Sequence, residues 1–301
     1  MATGCTRYSL EADTIPKTGN SKFFSITAAY LRYTMPYKLF FVISIALCTG
    51  CATSTYNATN KVYRQQARAF ASELKKQPEA IDSTKAGAWV GTTNFGMRKP
   101  NFVIIHHTAQ NGCDSTLRTF TLPRTQVSAH YVICKDGTVQ HMLNDYLRAW
   151  HAGAGRWGNV TDINSGSIGI ELDNNGFEPF TEVQINNLLI VLKALKKNYA
   201  IPTANFIGHA DIAPSRKVDP NRYFPWQQLA AHGFGYWYDE AKIKPAPDNF
   251  NAIQALRIIG YDTRDSVAAI RAFKLHFVQQ DSVPALSAQD RNIIYELYKK
   301  Y

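Results

Sequence analysis

The chain has 301 residues, of which 45% are hydrophobic and 12% aromatic, and its formal net charge is +10. This composition is sufficient for a hydrophobic core and excludes a wholly disordered chain. The positive charge favours an anionic partner, such as an acidic cell-wall polymer or lipid headgroups. The sequence contains no basic run interleaved with aromatic residues and no zinc-finger spacing, so we expect no nucleic-acid partner.

The N-terminal region has the pattern of an export signal. Residues 39–47 are an apolar run behind Lys38, too short to span a membrane as a helix but typical of the apolar part of a signal peptide. The run leads through small residues to Cys51, and this segment resembles the lipobox of bacterial lipoproteins, although Cys48 stands where Leu is usual. We therefore predict a lipoprotein signal peptide over residues 35–51, with lipidation of Cys51.

The segments around this signal follow from it. Residues 1–34 are predicted to be a mis-assigned upstream extension or else a cytoplasmic one, and residues 52–84 a polar tether with a weak helix. Ala52 follows the lipidated position, and by resemblance to lipoprotein sorting this indicates the periplasmic face of the outer membrane. Such a location permits a disulfide between Cys113 and Cys134, but two cysteines do not establish one.

The middle of the chain alternates between strand and helix patterns. Apolar runs and an Asp-Gly turn predict strands at residues 102–105, 128–134, 135–140, 167–172 and 206–208. Helical spacing predicts helices at 181–199, capped by Thr181, and at 225–231. Strands interspersed with helices indicate an α/β fold with a mixed β-sheet flanked by helices.

A second, smaller unit is predicted at the C-terminus. Residues 236–247 contain a proline-rich linker, and three helical patterns follow at 250–259, 264–277 and 287–300. A unit this small is marginally stable alone, and it carries no cluster of acids, bases or metal ligands. We interpret residues 248–301 as a three-helix binding domain.

Three predicted strands end in residues suited to catalysis, namely His106, Glu171 and His209. Asp219 follows the last of them. Two histidines and a carboxylate are ligands that zinc accepts, and they leave one position open for water. Glu171, inside an apolar strand, suits a general base, although a buried structural acid is the alternative.

Two further residues belong to this hypothesis. Lys217 lies two residues before Asp219 and suits the stabilisation of an oxyanion. His107 competes with His106 as the metal ligand, because successive residues of a strand face opposite sides. The residues alone leave that choice open.

Five motifs then carry a resemblance to a known family. They are IHHTA at 105–109, VSAHY at 127–131, WHAG at 150–153, IGIEL at 168–172 and GHADIAPSRKVDP at 208–220. In this order they resemble the type 2 zinc N-acetylmuramoyl-L-alanine amidases over roughly residues 85–235. Residues 248–301 are similar to a three-helix peptidoglycan-binding domain, and the lipobox points to an outer-membrane lipoprotein member of the family.

The resemblance implies a fold like that of the amidases and peptidoglycan-recognition proteins, with one zinc ion. It implies that His106, His209 and Asp219 bind the zinc, and it thereby favours His106 over His107. Glu171 is implied as the catalytic acid/base, with Lys217 as its electrostatic partner. Three further residues match positions that line the family's groove and are assigned to substrate contact or support of the site: His130, Trp150 and His151.

The function implied is zinc-dependent hydrolysis of the amide between N-acetylmuramic acid and L-alanine in peptidoglycan or muropeptides, by a monomeric enzyme. Two alternatives stay open at this point. One is a peptidoglycan receptor that binds without cutting, because a fold alone does not fix a function. The other is a lipoprotein that tethers the membrane to the wall through residues 248–301.

Overall fold

The structure is a computed structural model, and it describes residues 55–76, 92–94, 96–281 and 283–301. The predicted extension at residues 1–34, the predicted signal peptide with Cys51, and residues 52–54 and 77–84 of the tether lie outside these ranges. Two compact units divide the chain, Met1–Gln65 and Gln66–Tyr301. Helix α1 (Asn57–Glu73) begins in the first unit and buries none of its side chains. In the described residues we find no helix with both the length and the apolar character needed to cross a membrane.

A mixed sheet of five strands forms the centre of the described part of the second unit. The strands are β1 (Phe102–His107), β2 (Tyr131–Ile133), β3 (Val139–His141), β4 (Ser167–Leu172) and β5 (Phe206–Gly208). Their order is β3-β2-β4-β1-β5. All neighbouring pairs are parallel except β2 and β3, which form the predicted antiparallel hairpin. The prediction of a mixed α/β sheet is confirmed.

Helices surround this sheet. They are α2 (Cys113–Thr121), α3 (Ile163–Gly166), α4 (Glu182–Tyr199), α5 (His209–Ile212), α6 (Trp226–Ala231), α7 (Ala252–Ile259), α8 (Ser266–Phe277) and α9 (Ala288–Tyr298). The predicted Thr181 cap is confirmed, since its side chain accepts a hydrogen bond from the Gln184 N–H. The helices predicted in the last sixty residues correspond to α7, α8 and α9, whereas α2, α3 and α5 were not predicted.

The two faces of the sheet bury different helices. Val103 and Ile105 of β1 pack in one core with the apolar side of α4, which includes Leu188 and Leu192. Ile104 points the opposite way, as alternation along a strand requires. The side chains of these residues are 0% exposed, and each such burial contributes about 1.5–3 kcal/mol to folding.

The opposite face packs against the C-terminal helices. Ile104 and Ile207 share a hydrophobic core with Leu256 of α7, Phe273 of α8 and Ile294 of α9. Helices α7–α9 therefore belong to the same compact unit as the sheet. The domain boundary at residues 236–247 and the peptidoglycan-binding role of residues 248–301 stay predictions.

A buried polar cluster adds to this packing. Asp211 of α5 accepts hydrogen bonds from the Gly208 N–H at 2.7 Å, the Tyr261 hydroxyl at 2.8 Å and the His276 Nδ1 at 2.8 Å. Tyr261 and His276 come from the C-terminal helical region, and the His276 ring stacks on Trp226. The C-terminal helices thus hold a residue only two positions from His209.

Candidate active site

The predicted catalytic residues meet at the carboxyl edge of the parallel strands. His106 lies near the end of β1 and is paired in register with Glu171 of β4. His209 begins α5 directly after β5. The backbone of Asp219 is fixed beside it, because its carbonyl accepts the Ala210 N–H at 2.8 Å. Side chains far apart in the sequence converge here because parallel strands end at the same edge.

His106, His209 and Asp219 form a tight, buried donor set. The two histidine Nδ1 atoms are 2.8 Å apart, and Asp219 Oδ2 lies 3.2 Å from the first and 3.0 Å from the second. Their donor atoms all lie within 4.8 Å of one another, which makes them the candidate metal site of the described residues. The three ligands predicted from the sequence are therefore brought together, although their metal binding is itself a prediction.

The chemistry of these donors fits a divalent cation. His209 Nε2 is 3.0 Å from the Ala152 carbonyl. Because a carbonyl can only accept a hydrogen bond, Nε2 carries the proton, and the unprotonated Nδ1 has a lone pair that can bind a metal. Burial, and then the neighbouring His209, lower the pKa of His106 to about 4. Burial alone would raise the pKa of Asp219, but the neighbouring His106 and His209 outweigh it and hold this pKa well below its usual range. Neutral imidazoles and an ionised carboxylate are the forms that bind zinc.

Glu171 faces the same centre with an unsatisfied carboxylate. Its Oε1 lies 4.0 Å from His106 Nδ1, and its buried Oε2 has no hydrogen-bond partner among the described residues. Burial, together with the Asp219 charge, raises the pKa of Glu171 to about 8 against the opposing effect of the Lys217 charge. A cation bound at the donor set would act in the same direction as Lys217.

A cavity of about 410 Å³ opens onto these groups. Glu171 and Lys217 border it beside the donor set. Thr119 and Phe120 of α2 form one wall, and Trp150 lies at the rim with 52% of its surface exposed. This position agrees with the predicted role of Trp150 in substrate contact, which stays a prediction.

The other predicted residues lie behind the donor set. His151 is buried, and its Nδ1 is 3.1 Å from His106 Nε2. His130 is 0% exposed, and it accepts the Gly169 N–H while its Nε2 lies 3.0 Å from the Leu147 carbonyl. Because both nitrogens of His130 serve the backbone inside the protein, this residue supports the sheet instead of presenting a surface to substrate.

His107 is directed away from the donor set. Its Nδ1 accepts the Asn221 N–H at 3.1 Å, and it is not a member of the candidate metal site. The structure therefore places His106, and not His107, beside His209 and Asp219, and the two adjacent histidines face opposite sides as alternation along a strand requires.

Helix α2 and Arg216 were not recognised in the sequence. Helix α2 is short, and the Gly112 before it makes no side-chain cap. It is attached to the end of β2 by a disulfide between Cys113 and Cys134, the pair that the sequence left open. Arg216 donates hydrogen bonds to the carbonyls of Ala152 and Ala154 at 2.7 Å each and also borders the cavity. The cysteine pair is the signal that would have located α2.

Comparisons with known proteins agree with this geometry. The family model described as N-acetylmuramoyl-L-alanine amidase matches residues 96–222. The chain is 34% identical over 230 residues to the N-acetylmuramoyl-L-alanine amidase AmiD of Escherichia coli strain K12, an alignment that covers 66% of this chain and 82% of that protein.

Two solved structures extend the likeness to the fold. One is AmiD from E. coli in complex with the substrate anhydro-N-acetylmuramic acid-L-Ala-D-γ-Glu-L-Lys, with a TM-score of 0.62 and 30% identity over 75% of this chain and 97% of that one. The other is AmpDh3 from Pseudomonas aeruginosa in complex with an anhydromuramic pentapeptide. It has a TM-score of 0.63 and 27% identity over 73% of this chain and 99% of that one.

Proposed function

The chain belongs to the N-acetylmuramoyl-L-alanine amidase family, and from this premise we propose that it hydrolyses the amide between N-acetylmuramic acid and L-alanine in peptidoglycan fragments. The observation that carries the proposal is the buried set of His106, His209 and Asp219 with the unpaired carboxylate oxygen of Glu171 beside it. A receptor that only binds has no need of an unsatisfied buried acid next to a complete donor set. The amidase is therefore favoured over the receptor and the wall tether.

The metal that best suits this donor set is one zinc ion. His106, His209 and Asp219 would hold it, and they are the nitrogen and oxygen donors that zinc prefers in catalytic sites. When bound, zinc supplies a Lewis acid that polarises the substrate carbonyl and makes water more acidic.

Glu171 and Lys217 have separate roles in the proposed reaction. The Glu171 carboxylate accepts a proton from the attacking water as the water oxygen bonds to the carbonyl carbon. It then delivers that proton to the nitrogen of L-alanine as the C–N bond breaks, and the lactyl carboxylic acid and the amine that result ionise to a carboxylate and an ammonium. The Lys217 ammonium at the cavity wall stabilises the negative charge that develops on the carbonyl oxygen.

The test follows the peptide product. The full-length chain is incubated with anhydro-N-acetylmuramic acid-L-Ala-D-γ-Glu-L-Lys, before and after chelation and after zinc is restored, and the products are identified by mass spectrometry. We expect a zinc-dependent peptide with L-alanine at its N-terminus. Glu171→Gln should lower kcat by about 10²–10⁴-fold, whereas the exposed Glu240→Gln should not change it. A fragment that binds but stays whole with zinc present would favour the receptor.

We also propose the cellular setting that the sequence predicts. The apolar run at 39–47, the cysteine at 51 and Ala52 support a lipid anchor at the periplasmic face of the outer membrane. Radiolabelled palmitate should enter the wild-type chain but not Cys51→Ser. A label that persists in this variant would rule out Cys51 as the site of attachment. The predicted monomer is checked by light scattering of the purified chain.

A further inference from the structure

His151 lies directly behind His106, on the side away from the other metal donors. His106 Nε2 and His151 Nδ1 are 3.1 Å apart, and His151 Nε2 is 3.1 Å from Ser167 Oγ. Ser167 in turn donates its hydroxyl proton to the Ile163 carbonyl at 2.6 Å. These groups form one continuous chain of hydrogen bonds that ends at the backbone.

The direction of each hydrogen bond follows from that end. A carbonyl oxygen can only accept, and Ser167 has a single proton to donate, so Ser167 Oγ must accept from His151. His151 therefore carries its proton on Nε2, and its bare Nδ1 accepts from His106 Nε2. Neutral His106 is left with an unprotonated Nδ1, and this is the atom that faces His209 and Asp219.

The surroundings of His151 fix the position of its ring. A Cβ atom at Gly169 would lie 2.3 Å from His151 Cγ, so the ring packs against the bare backbone of β4. The His151 and Ala152 N–H groups both donate to Asn164 Oδ1, at 3.1 and 2.9 Å. The ring therefore cannot turn freely, and its Nδ1 stays directed at His106.

We propose that His151 and Ser167 are positioning residues that hold His106 in the tautomer whose Nδ1 is free to bind the metal. The proposal rests on the metal centre of the proposed function, and it gives His151 a role other than substrate contact. Without the acceptor at His151 Nδ1, the buried His106 Nε2–H loses its partner and the ring is free to change tautomer or turn. Loss of such partners of metal-binding histidines typically weakens metal affinity 10–100-fold.

The first measurement is zinc affinity, determined by competition with a chromophoric chelator on the full-length chain. We expect His151→Ala to weaken zinc binding about 10–100-fold. His151→Asn places an amide oxygen near the position of Nδ1, so it should recover a large part of that loss. Ser167→Ala should weaken binding less than His151→Ala does. The exposed His232→Ala is the matched control and should bind zinc as the wild type does. Urea unfolding checks that each variant is folded.

The second measurement reads the tautomer directly. Nitrogen-15 NMR of the chelator-treated wild type should show His106 protonated at Nε2 and bare at Nδ1, and it needs no variant to fold. A proton on His106 Nδ1 would overturn the proposal, as would a folded His151→Ala that binds zinc like the wild type. If the wild type itself does not bind zinc, the metal centre of the proposed function fails. If the wild type binds zinc and the folded variants bind it equally well, the positioning role fails while the metal centre stands.

Discussion

Tyr261→Phe tests whether the C-terminal helices brace the active site. The Tyr261 hydroxyl donates to Asp211 Oδ1 at 2.8 Å, and Asp211 is 1% exposed. The substitution removes one oxygen atom and leaves Oδ1 of the buried carboxylate without this donor. The other oxygen keeps its bonds to Gly208 and His276, so the loss is confined to one hydrogen bond.

The magnitude follows from that single loss. A buried acceptor left unsatisfied costs roughly 1–3 kcal/mol, so we expect Tyr261→Phe to lower the free energy of unfolding by about 2 kcal/mol. For a unit of this size the melting temperature should fall by about 4–8 °C. The matched control is Tyr298→Phe on α9. Tyr298 is 36% exposed, so any group that loses its hydroxyl as a partner can bond to water instead.

The assay is urea unfolding followed by tryptophan fluorescence and by far-ultraviolet circular dichroism. Trp226, one of the five tryptophans, stacks on His276 with ring centroids 3.8 Å apart, so part of the fluorescence signal reports on the contact between α6 and α8. Both probes should give one coincident transition that shifts together in Tyr261→Phe. Two separate transitions, or a loss no larger than in Tyr298→Phe, would refute the idea that the C-terminal helices and the site form one cooperative unit.

Three further predictions follow from other parts of the chain. The disulfide between Cys113 and Cys134 closes a separation of 21 residues, so replacing both cysteines with serine should lower the free energy of unfolding by about 3 kcal/mol; a reductant that affects this variant as much as the wild type would contradict it. His141 lies 3.3 Å from Asp145, and this contact raises the pKa of His141. The contact between His141 and Asp145 should therefore stabilise the folded state below the unfolded pKa of about 6.5. This stabilisation should be lost as the pH rises through the higher pKa of the folded state. His141→Gln should abolish this pH-dependent part of the free energy of unfolding. It amounts to less than about 1 kcal/mol because the side chain is half exposed. If residues 248–301 bind peptidoglycan, Arg257→Glu with Arg271→Glu should weaken pull-down by sacculi and leave hydrolysis of the soluble fragment unchanged; equal pull-down would exclude this surface.

The sequence predicted those parts of the site that one strand or one loop specifies locally. An apolar run that ends in a histidine, or that contains a single acid, marks the end of a buried strand as a place for chemistry, and this located His106, Glu171 and His209. Asp219 followed from its place in the loop after β5. The donor set was predictable because parallel strands bring their carboxyl ends together whatever the rest of the fold does.

The supporting residues were not predictable in the same way. The hydrogen bond between His151 and His106 depends on how the loop before α3 folds back on β4. The small residues on that face of β4, Ser167 and Gly169, look like ordinary strand sequence. His130 has the same residue type as the ligands but lies inside the sheet. Asp211 resembles a loop acid until Tyr261 and His276, more than forty residues later, are packed against it. Contacts of this kind have no local pattern because they are made by tertiary packing.

The position of the C-terminal helices limits what they can do for a wall-binding enzyme. Their inner sides are used in the core with Ile104 and Ile207, and in the cluster around Asp211. The outer sides of α7 and α8 are free to contact a polymer, and Ile258 and Val267 there are 54% and 45% exposed. A peptidoglycan strand bound on that outer surface would press against the same helices that hold Asp211 and, through α5, His209. If residues 248–301 bind the wall as predicted, that binding and the support of the predicted metal site use opposite sides of one set of helices, and they do not require a separately folded domain.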